Sequence, residues 1–225
     1  MKDTGALTPA EAFETLLAGN ERFVNGHPQH PNQNAVRRAE TAPLQNPFAV
    51  LFGCSDSRLA AEIIFDRGLG DLFVVRTAGH VLGPEVLGSI EYGVSVLGCP
   101  LVVVLGHDSC GAVAATRAAL EEGPAPGGYV RDIVERVTPS VLAARAAGLS
   151  RPDDIVDEHI RNTVDLLTDR SRVLAEGVAA GRVAVVGLSY RLAEGSARLV
   201  ADRGLGVPAA AAGAAQEPVR AAGGD

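Results

Sequence analysis

Four short runs of consecutive apolar residues recur along the chain. They are Phe48–Phe52, Leu72–Val75, Leu101–Leu105 and Val183–Val186. Runs of four or five residues without polar alternation are typical of strands that are buried on both faces of a parallel sheet. Glycines 53, 106 and 187 follow three of the runs directly, and we expect these strands to end there.

The segments between these runs have helical character. They cover about 60–66, 84–97, 110–122 and 129–179, the last with a break near Gly148–Pro152. A further helix is predicted from Thr8-Pro9-Ala10-Glu11, which has the composition of a capping box, to about Asn25-Gly26. Prolines 28 and 31 make residues 27–34 a loop. The alternation predicts an α/β fold with a central, mainly parallel sheet flanked by helices and an N-terminal helical arm.

The C-terminal part of the chain has two further features. Leu188–Leu192 and Ser196–Val200 flank a short polar turn and predict a hairpin at the edge of the sheet. Residues 207–225 are nearly all Ala, Gly and Pro, which predicts a disordered tail. The length of 225 residues then fits one domain over residues 1–206.

Composition narrows the class of partner and the compartment. The chain has 27 acidic and 20 basic residues, a net charge of −7, so we expect no nucleic-acid partner. No apolar run approaches the roughly 18 residues of a membrane span, and the N-terminus has no signal-peptide pattern. Three cysteines do not make a disulfide framework. We therefore expect a protein of the reducing cytoplasm, with no membrane partner.

Reactive residues follow two of the predicted strands. Cys54-Ser55-Asp56-Ser57-Arg58 comes after the first run, and His107-Asp108-Ser109-Cys110-Gly111 comes after the third. In an open parallel sheet, the carboxyl ends of neighbouring strands face one crevice, where ligands bind. Two cysteines and a histidine are a ligand set that suits zinc, and three protein ligands leave the fourth position open for water. Such water has its pKa lowered to about 7.

The role of Asp56 stays open at this point. Its carboxylate is close enough to Cys54 in sequence to become a fourth metal ligand, or Arg58 can hold it in a two-point ion pair. Our hypothesis is a competition between metal and guanidinium for Asp56. Taken singly, a cysteine at a strand end is usually a small buried hydrophobe, and an Asp–Arg pair is usually a solvated ion pair. A structural zinc knuckle is a further alternative, although its cysteines are normally closer in sequence.

The two motifs, CSDSR and HDSCG, resemble the signatures of the β-class carbonic anhydrases, and the resemblance extends over roughly residues 7–205. The segments GDLFVVRTAGH and GSIEYGVSVLG are similar to the family's connecting segments. The resemblance implies reversible hydration of CO₂ to bicarbonate and a proton. It implies zinc on Cys54, His107 and Cys110, with Asp56 as exchangeable fourth ligand and Arg58 as its partner. It also implies a homodimer or homotetramer with the site at the subunit boundary.

The resemblance assigns further residues to substrate. Gln33 would donate a hydrogen bond, the backbone N–H of Gly111 would add a second donor, and an apolar CO₂ pocket would be lined by Phe73, Ala78 and Tyr92. Part of the family has a non-catalytic bicarbonate site made of a tryptophan, an arginine and a tyrosine. Arg76 and Tyr190 match two of these, whereas Leu51 stands at the tryptophan position. Arg76 can equally be a structural residue that makes ion pairs.

Two alternative functions share the predicted metal site. One is hydrolysis of carbon disulfide or carbonyl sulfide through a narrowed pocket entrance, for which the sequence has no obvious insertion. The other is a regulatory or redox protein in which Asp56 closes the metal permanently. Arg58 argues against the second, since a closed site needs no competitor for the carboxylate. Histidines 27, 30, 80 and 159 are candidate proton shuttles by residue type alone, and a surface or core position is the more common one for each.

Overall fold

The computed structural model describes residues 7–206 apart from 122 and 125. This part of the chain contains the strands β1 (Ala49–Cys54), β2 (Leu72–Thr77), β3 (Leu101–His107), β4 (Ala184–Tyr190) and β5 (Ala197–Arg203). Within it they form one sheet in the order β2-β1-β3-β4-β5. The first four strands are parallel, and β5 is antiparallel to β4. The predicted tail over 207–225 lies outside the described residues.

Helices flank this sheet, as the alternating pattern predicts. They are α1 (Pro9–Val24), α2 (Ala35–Thr41), α3 (Ala61–Ile64), α4 (Pro84–Ser95), α5 (Gly111–Glu121), α6 (Val130–Ala146), α7 (Pro152–Arg170) and α8 (Arg172–Ala179). A short 3₁₀ turn covers Ala78–His80. The α/β fold with a mainly parallel sheet is therefore confirmed.

The helix α1 has the predicted capping box. The hydroxyl of Thr8 accepts from the backbone N–H of Glu11 at 3.3 Å, and the carboxylate of Glu11 accepts from the backbone N–H of Thr8 at 2.8 Å. The helix ends one residue before Asn25, as expected. Its Asn20 amide donates to the carbonyl oxygens of Ile64 and Gly195, at 3.1 and 2.8 Å. These bonds tie the helix to α3 and to the turn before β5.

The predicted ends of three strands were wrong. Gly53, Gly106 and Gly187 lie inside β1, β3 and β4 and do not terminate them. A Cβ atom at position 106 or 187 would lie 2.5 Å from side-chain carbons of Ile160 on α7, so glycine at these two positions lets that helix approach the sheet. Because β4 runs on to Tyr190, it forms the predicted edge hairpin with β5 directly. The separate strand predicted from 188 does not exist.

The prediction of burial on both faces holds for three strands and fails for one. Every residue of β1, β3 and β4 is buried, whereas β2 is half-buried with an exposed Arg76. Position in the sheet explains the difference, because β2 is an edge strand of the described sheet. None of the described helices is long and apolar enough to span a bilayer. All three cysteines lie in the described chain, and none forms a disulfide.

Candidate metal centre

The carboxyl ends of two adjacent strands bring the motif residues together. Cys54 is the last residue of β1 and His107 is the last residue of β3, and these strands are paired in parallel. Cys110 comes three residues later, immediately before α5. The ligand atoms of the three side chains all lie within 4.8 Å of one another, and all three residues are buried. We call this group the Cys–His–Cys cluster.

The imidazole of His107 is oriented by the backbone carbonyl of the next residue. Its Nδ1 lies 2.7 Å from the carbonyl oxygen of Asp108, and since a carbonyl only accepts, Nδ1 carries the proton. The other nitrogen, Nε2, is buried and has no hydrogen-bond partner among the described residues. A buried ring nitrogen is normally satisfied, so an unpartnered Nε2 beside two sulfurs fits a metal ligand.

The pKa values of the two cysteines differ, and the resulting negative charge on one sulfur favours a cation. A hydrogen bond from the Cys110 thiol lowers the pKa of Cys54 to about 4 despite its burial, and the nearby His107 imidazole and the Gly79 N–H act in the same direction. The same hydrogen bond and burial raise the pKa of Cys110. Burial acts to lower the pKa of His107, but Cys54, the Asp108 carbonyl and the Asp56 carboxylate together raise it. The cluster therefore holds a thiolate in a buried site, and two sulfurs with one nitrogen are a donor set that zinc prefers.

Asp56 lies beside the cluster and is bound to Arg58. The guanidinium donates from Nε to Oδ1 at 2.8 Å and from Nη2 to Oδ2 at 2.7 Å. The backbone N–H of Arg58 adds a bond to Oδ1 at 3.0 Å. The Arg58 guanidinium holds the pKa of Asp56 well below its usual range, so the carboxylate is ionised. Its Oδ2 is still only 3.9 Å from Nε2 of His107.

Arg76 supports the backbone of the first motif. Its Nε donates to the carbonyl oxygen of Cys54 at 3.0 Å, and its Nη2 donates to that of Asp56 at 2.6 Å. The observed partners of Arg76 are thus backbone carbonyls, not the acidic side chain of an ion pair. Tyr190 is buried at the end of β4, beside His107. Because β1 and β3 lie between β2 and β4, the backbones of Arg76 and Tyr190 are about 14 Å apart across the sheet.

The residues assigned to substrate fall into two groups. Ala78 and Gly111 are direct neighbours of Gly79 and Cys110, so they border the cluster. The rings of Phe73 and Tyr92 pack together elsewhere, with centroids 6.0 Å apart. Phe73 pairs with Val50, four residues before Cys54, which places it about 13 Å along the strands from the cluster.

Gln33 belongs with the second group. It is exposed in the loop before α2, and its amide donates to the carbonyl oxygen of Arg67 at 3.0 Å. Tyr92 is also exposed, at 44%. Within one chain, these polar and aromatic groups are therefore engaged away from the Cys–His–Cys cluster.

One contact to the cluster was missed by the sequence analysis. The backbone N–H of Gly79 donates to Sγ of Cys54 at 3.3 Å. This contact comes from a turn with a left-handed backbone, φ 62° at Gly79. The segment Thr77-Ala78-Gly79-His80 contains a glycine that indicates such a turn, but nothing in the sequence indicates that the turn faces Cys54.

Comparisons with known proteins agree with this site. A family profile described as carbonic anhydrase matches residues 49–197. A carbonic anhydrase of Mycolicibacterium smegmatis is 60% identical over 191 residues, which cover 85% of this chain and 93% of the relative. Carbonic anhydrase 2 of Mycobacterium tuberculosis is 59% identical over 191 residues, with 85% and 92% covered.

Solved structures show the same fold. The β-carbonic anhydrase CafA of Aspergillus fumigatus is 28% identical with a TM-score of 0.64, over 84% of this chain and 91% of that one. A tetrameric β-carbonic anhydrase of Sordaria macrospora, 21% identical, has a TM-score of 0.65 over 87% and 97%.

The chain belongs to the carbonic anhydrase family, in its β class. It is an enzyme, a lyase that hydrates CO₂. This confirms the resemblance drawn from the two sequence motifs.

Proposed function

We propose that this carbonic anhydrase depends on a zinc ion held by Cys54, His107 and Cys110. The convergence of three buried ligand atoms, among them a His107 Nε2 with no hydrogen-bond partner in the described chain, is the observation that carries the proposal. When bound, zinc would supply a Lewis acid that lowers the pKa of a coordinated water to about 7. The reaction would be the reversible hydration of CO₂ to bicarbonate and a proton.

The pair of Asp56 and Arg58 would control access to the fourth zinc position. Held by two guanidinium bonds, the Asp56 carboxylate is kept from that position and stays ionised beside it. If the bonds to the guanidinium break, the carboxylate needs only a short movement to reach the fourth zinc position, since it already lies 3.9 Å from Nε2 of His107. Arg58 thus favours the open arrangement.

A second copy of the chain would complete the substrate pocket. Ala78 and the Gly111 N–H lie beside the metal ligands of their own chain, whereas Phe73, Tyr92 and Gln33 lie apart from them and are half-buried or exposed. In a symmetric dimer, each of these three would face the cluster of the partner. We therefore propose a homodimer or a homotetramer built from such dimers, and the Sordaria macrospora relative is tetrameric.

The chemistry of the ligands bears on the compartment. Cysteine ligands must stay reduced to bind zinc, and the cysteines here form no disulfide. A cytoplasmic location is therefore our proposal for this enzyme.

Stopped-flow CO₂ hydration on protein of known metal content tests the proposed function. We expect one zinc ion per chain and a rate that rises with pH through about 7, as a coordinated water ionises. Zinc without hydration at any alkaline pH would favour a permanently closed regulatory site. Turnover of carbon disulfide without turnover of CO₂ would favour the hydrolase alternative.

A further inference from the structure

The turn that follows β2 has an unusual backbone. Gly79 and His80 both have left-handed φ angles, 62° and 40°. Glycine adopts this conformation freely, but histidine does so only where surrounding contacts hold it. A Cβ atom at Gly79 would lie 2.6 Å from Cβ of Ala112, so the turn is pressed against the first turn of α5. Contacts with surrounding elements therefore hold this turn in its conformation.

This turn provides a hydrogen bond to the Cys–His–Cys cluster. Because of the left-handed backbone, the Gly79 N–H is aimed at Sγ of Cys54, 3.3 Å away. Groups that donate to metal ligands from behind orient them, and their loss commonly weakens metal affinity. Whatever fixes the turn therefore also fixes the Cys54 sulfur.

His159 of α7 contacts the turn in two ways. Its Nε2 lies 2.8 Å from the carbonyl oxygen of Gly79, and its ring packs on that of His80 with centroids 4.3 Å apart. Because a carbonyl oxygen can only accept, Nε2 carries the proton. Both imidazoles are buried, so water does not compete for these contacts.

Two further side chains fix the orientation of His159. Its Nδ1 accepts from the hydroxyl of Ser140 at 2.8 Å, and that hydroxyl oxygen accepts from the Asn162 amide at 2.8 Å. Burial lowers the pKa of His159, which keeps the ring neutral as this pattern requires. Each donor thus meets an acceptor in the chain of hydrogen bonds that connects α6 and α7 to the turn.

We propose that His159 is a positioning residue for the metal centre. Its Nε2–H holds the Gly79–His80 turn in the left-handed conformation from which the Gly79 N–H reaches Cys54. The inference rests on the proposed role of Cys54 as a zinc ligand. Both ring nitrogens of His159 are engaged, with Ser140 and with the Gly79 carbonyl oxygen, so in this proposal the residue acts on the cluster through the turn.

Release of zinc from the intact loaded protein to an excess of a chromophoric chelator tests this role. His159→Leu removes the donor, and we expect zinc release about ten- to a hundredfold faster than in the wild type. His159→Gln keeps an N–H donor and should restore most of the wild-type rate. Exchange of the Gly79 amide proton, followed by NMR, should accelerate in His159→Leu and not in His159→Gln.

Two more variants separate positioning from general loss of stability. Val164→Ala truncates a fully buried residue farther along α7 and should leave zinc release within about twofold of the wild type. Ser140→Ala removes only the group that orients the ring, so it should accelerate release less than His159→Leu. It also carries the test if His159→Leu does not fold.

Three results would overturn the proposal. The first is release of zinc at the wild-type rate from His159→Leu or, if that variant does not fold, from Ser140→Ala. The second is zinc release that is equally fast in His159→Gln and His159→Leu. The third is zinc release from Val164→Ala that is as fast as from His159→Leu. Failure of the proposed ligand set is distinct from these, because Cys54→Ala would then keep zinc with unchanged affinity whatever stands at position 159.

Discussion

Arg58 binds both carboxylate oxygens of Asp56, and Oδ2 of that carboxylate lies 3.9 Å from Nε2 of His107. The carboxylate is thus bound by the guanidinium and lies close to, without bonding, the ring nitrogen that we assign to the metal. A bidentate pair of this kind fixes direction as well as charge, which a lysine in place of arginine would not do. In the proposed mechanism, the position of this carboxylate decides whether the metal site is open.

Arg58→Ala should therefore close the site. With the two charge-assisted bonds lost, the carboxylate can move to the fourth metal position, and we expect CO₂ hydration to fall about ten- to a hundredfold. Stopped-flow assays measure the rate, and a crystal structure of the zinc-loaded variant shows the fourth ligand. Arg172→Ala is the matched control, because the partner of this exposed arginine in the described part of the chain is Glu176 on the same helix surface. An open site with full activity in Arg58→Ala would contradict the competition.

Loss of one sulfur should abolish metal binding and activity together. Cys110→Ser should copurify with far less than one zinc ion per chain and should hydrate CO₂ no faster than background, because a hydroxyl is a poor substitute for thiolate. Elemental analysis and stopped-flow assays on the same sample measure both. Cys99→Ala is the control, because Cys99 is buried two residues before β3 begins and its thiol donates to the carbonyl oxygen of Pro47. Normal zinc content in Cys110→Ser would refute the ligand assignment.

Mixed dimers should test whether one chain completes the site of another. Phe73→Ala and Cys110→Ser should each be impaired alone, the first through the pocket and the second through the metal. Random pairing would produce one intact site in half of the dimers, hence about a quarter of wild-type activity per chain. Co-expression with two affinity tags allows the mixed species to be isolated and assayed. A mixed dimer no more active than the better of the two parents would show that Phe73 serves its own chain.

Acid should destabilise the protein through a buried histidine. Burial, then the neighbouring His159 and His107, lowers the pKa of His80 well below its usual value. The folded form therefore stays neutral while the unfolded chain takes up a proton near pH 6.5, so stability present above that pH is lost as pH falls. The loss is at most about 1.4 kcal/mol per pH unit for one group.

His80→Asn should reduce this pH dependence. Asparagine tolerates the left-handed backbone and does not titrate, so the free energy of unfolding should vary less between pH 5 and 6.5, even if it is lower throughout. Urea denaturation across this range measures the slope. Exposed His27→Asn should leave the slope unchanged. Equal slopes for the wild type and His80→Asn would contradict the prediction.

Much of the fold could be predicted because the apolar runs and the caps are local signals. Glycine misled the prediction of strand ends, since it was interpreted as a terminator at 106 and 187. There it serves the close approach of Ile160, a tertiary contact that no local pattern contains. The helix α2 was not predicted, because none of its residues is buried and it therefore has no apolar stripe.

In the candidate site too, some residues could be predicted from local signals and others depend on tertiary packing. Cys54, His107 and Cys110 could be located because strand ends in a parallel sheet converge by topology. The histidines could not be sorted by sequence, where His80 and His159 look no different from the exposed His27. Their burial and contact with the Gly79 turn depend on the packing of α7, whose His159 stands 80 residues after Gly79 along the chain.

The origin of the three ligands has a consequence for metal exchange. Cys54 and His107 end two fully buried, hydrogen-bonded central strands, the kind of element that opens last in native proteins. Cys110 instead follows Ser109, a non-glycine residue with φ 53°, at the start of a helix whose outer face is exposed. If that helix start frays, the Cys110 sulfur would move away while Cys54 and His107 keep their places on the sheet. These two residues could then bind an ion again. Zinc would then enter and leave without any disruption of the β-strands.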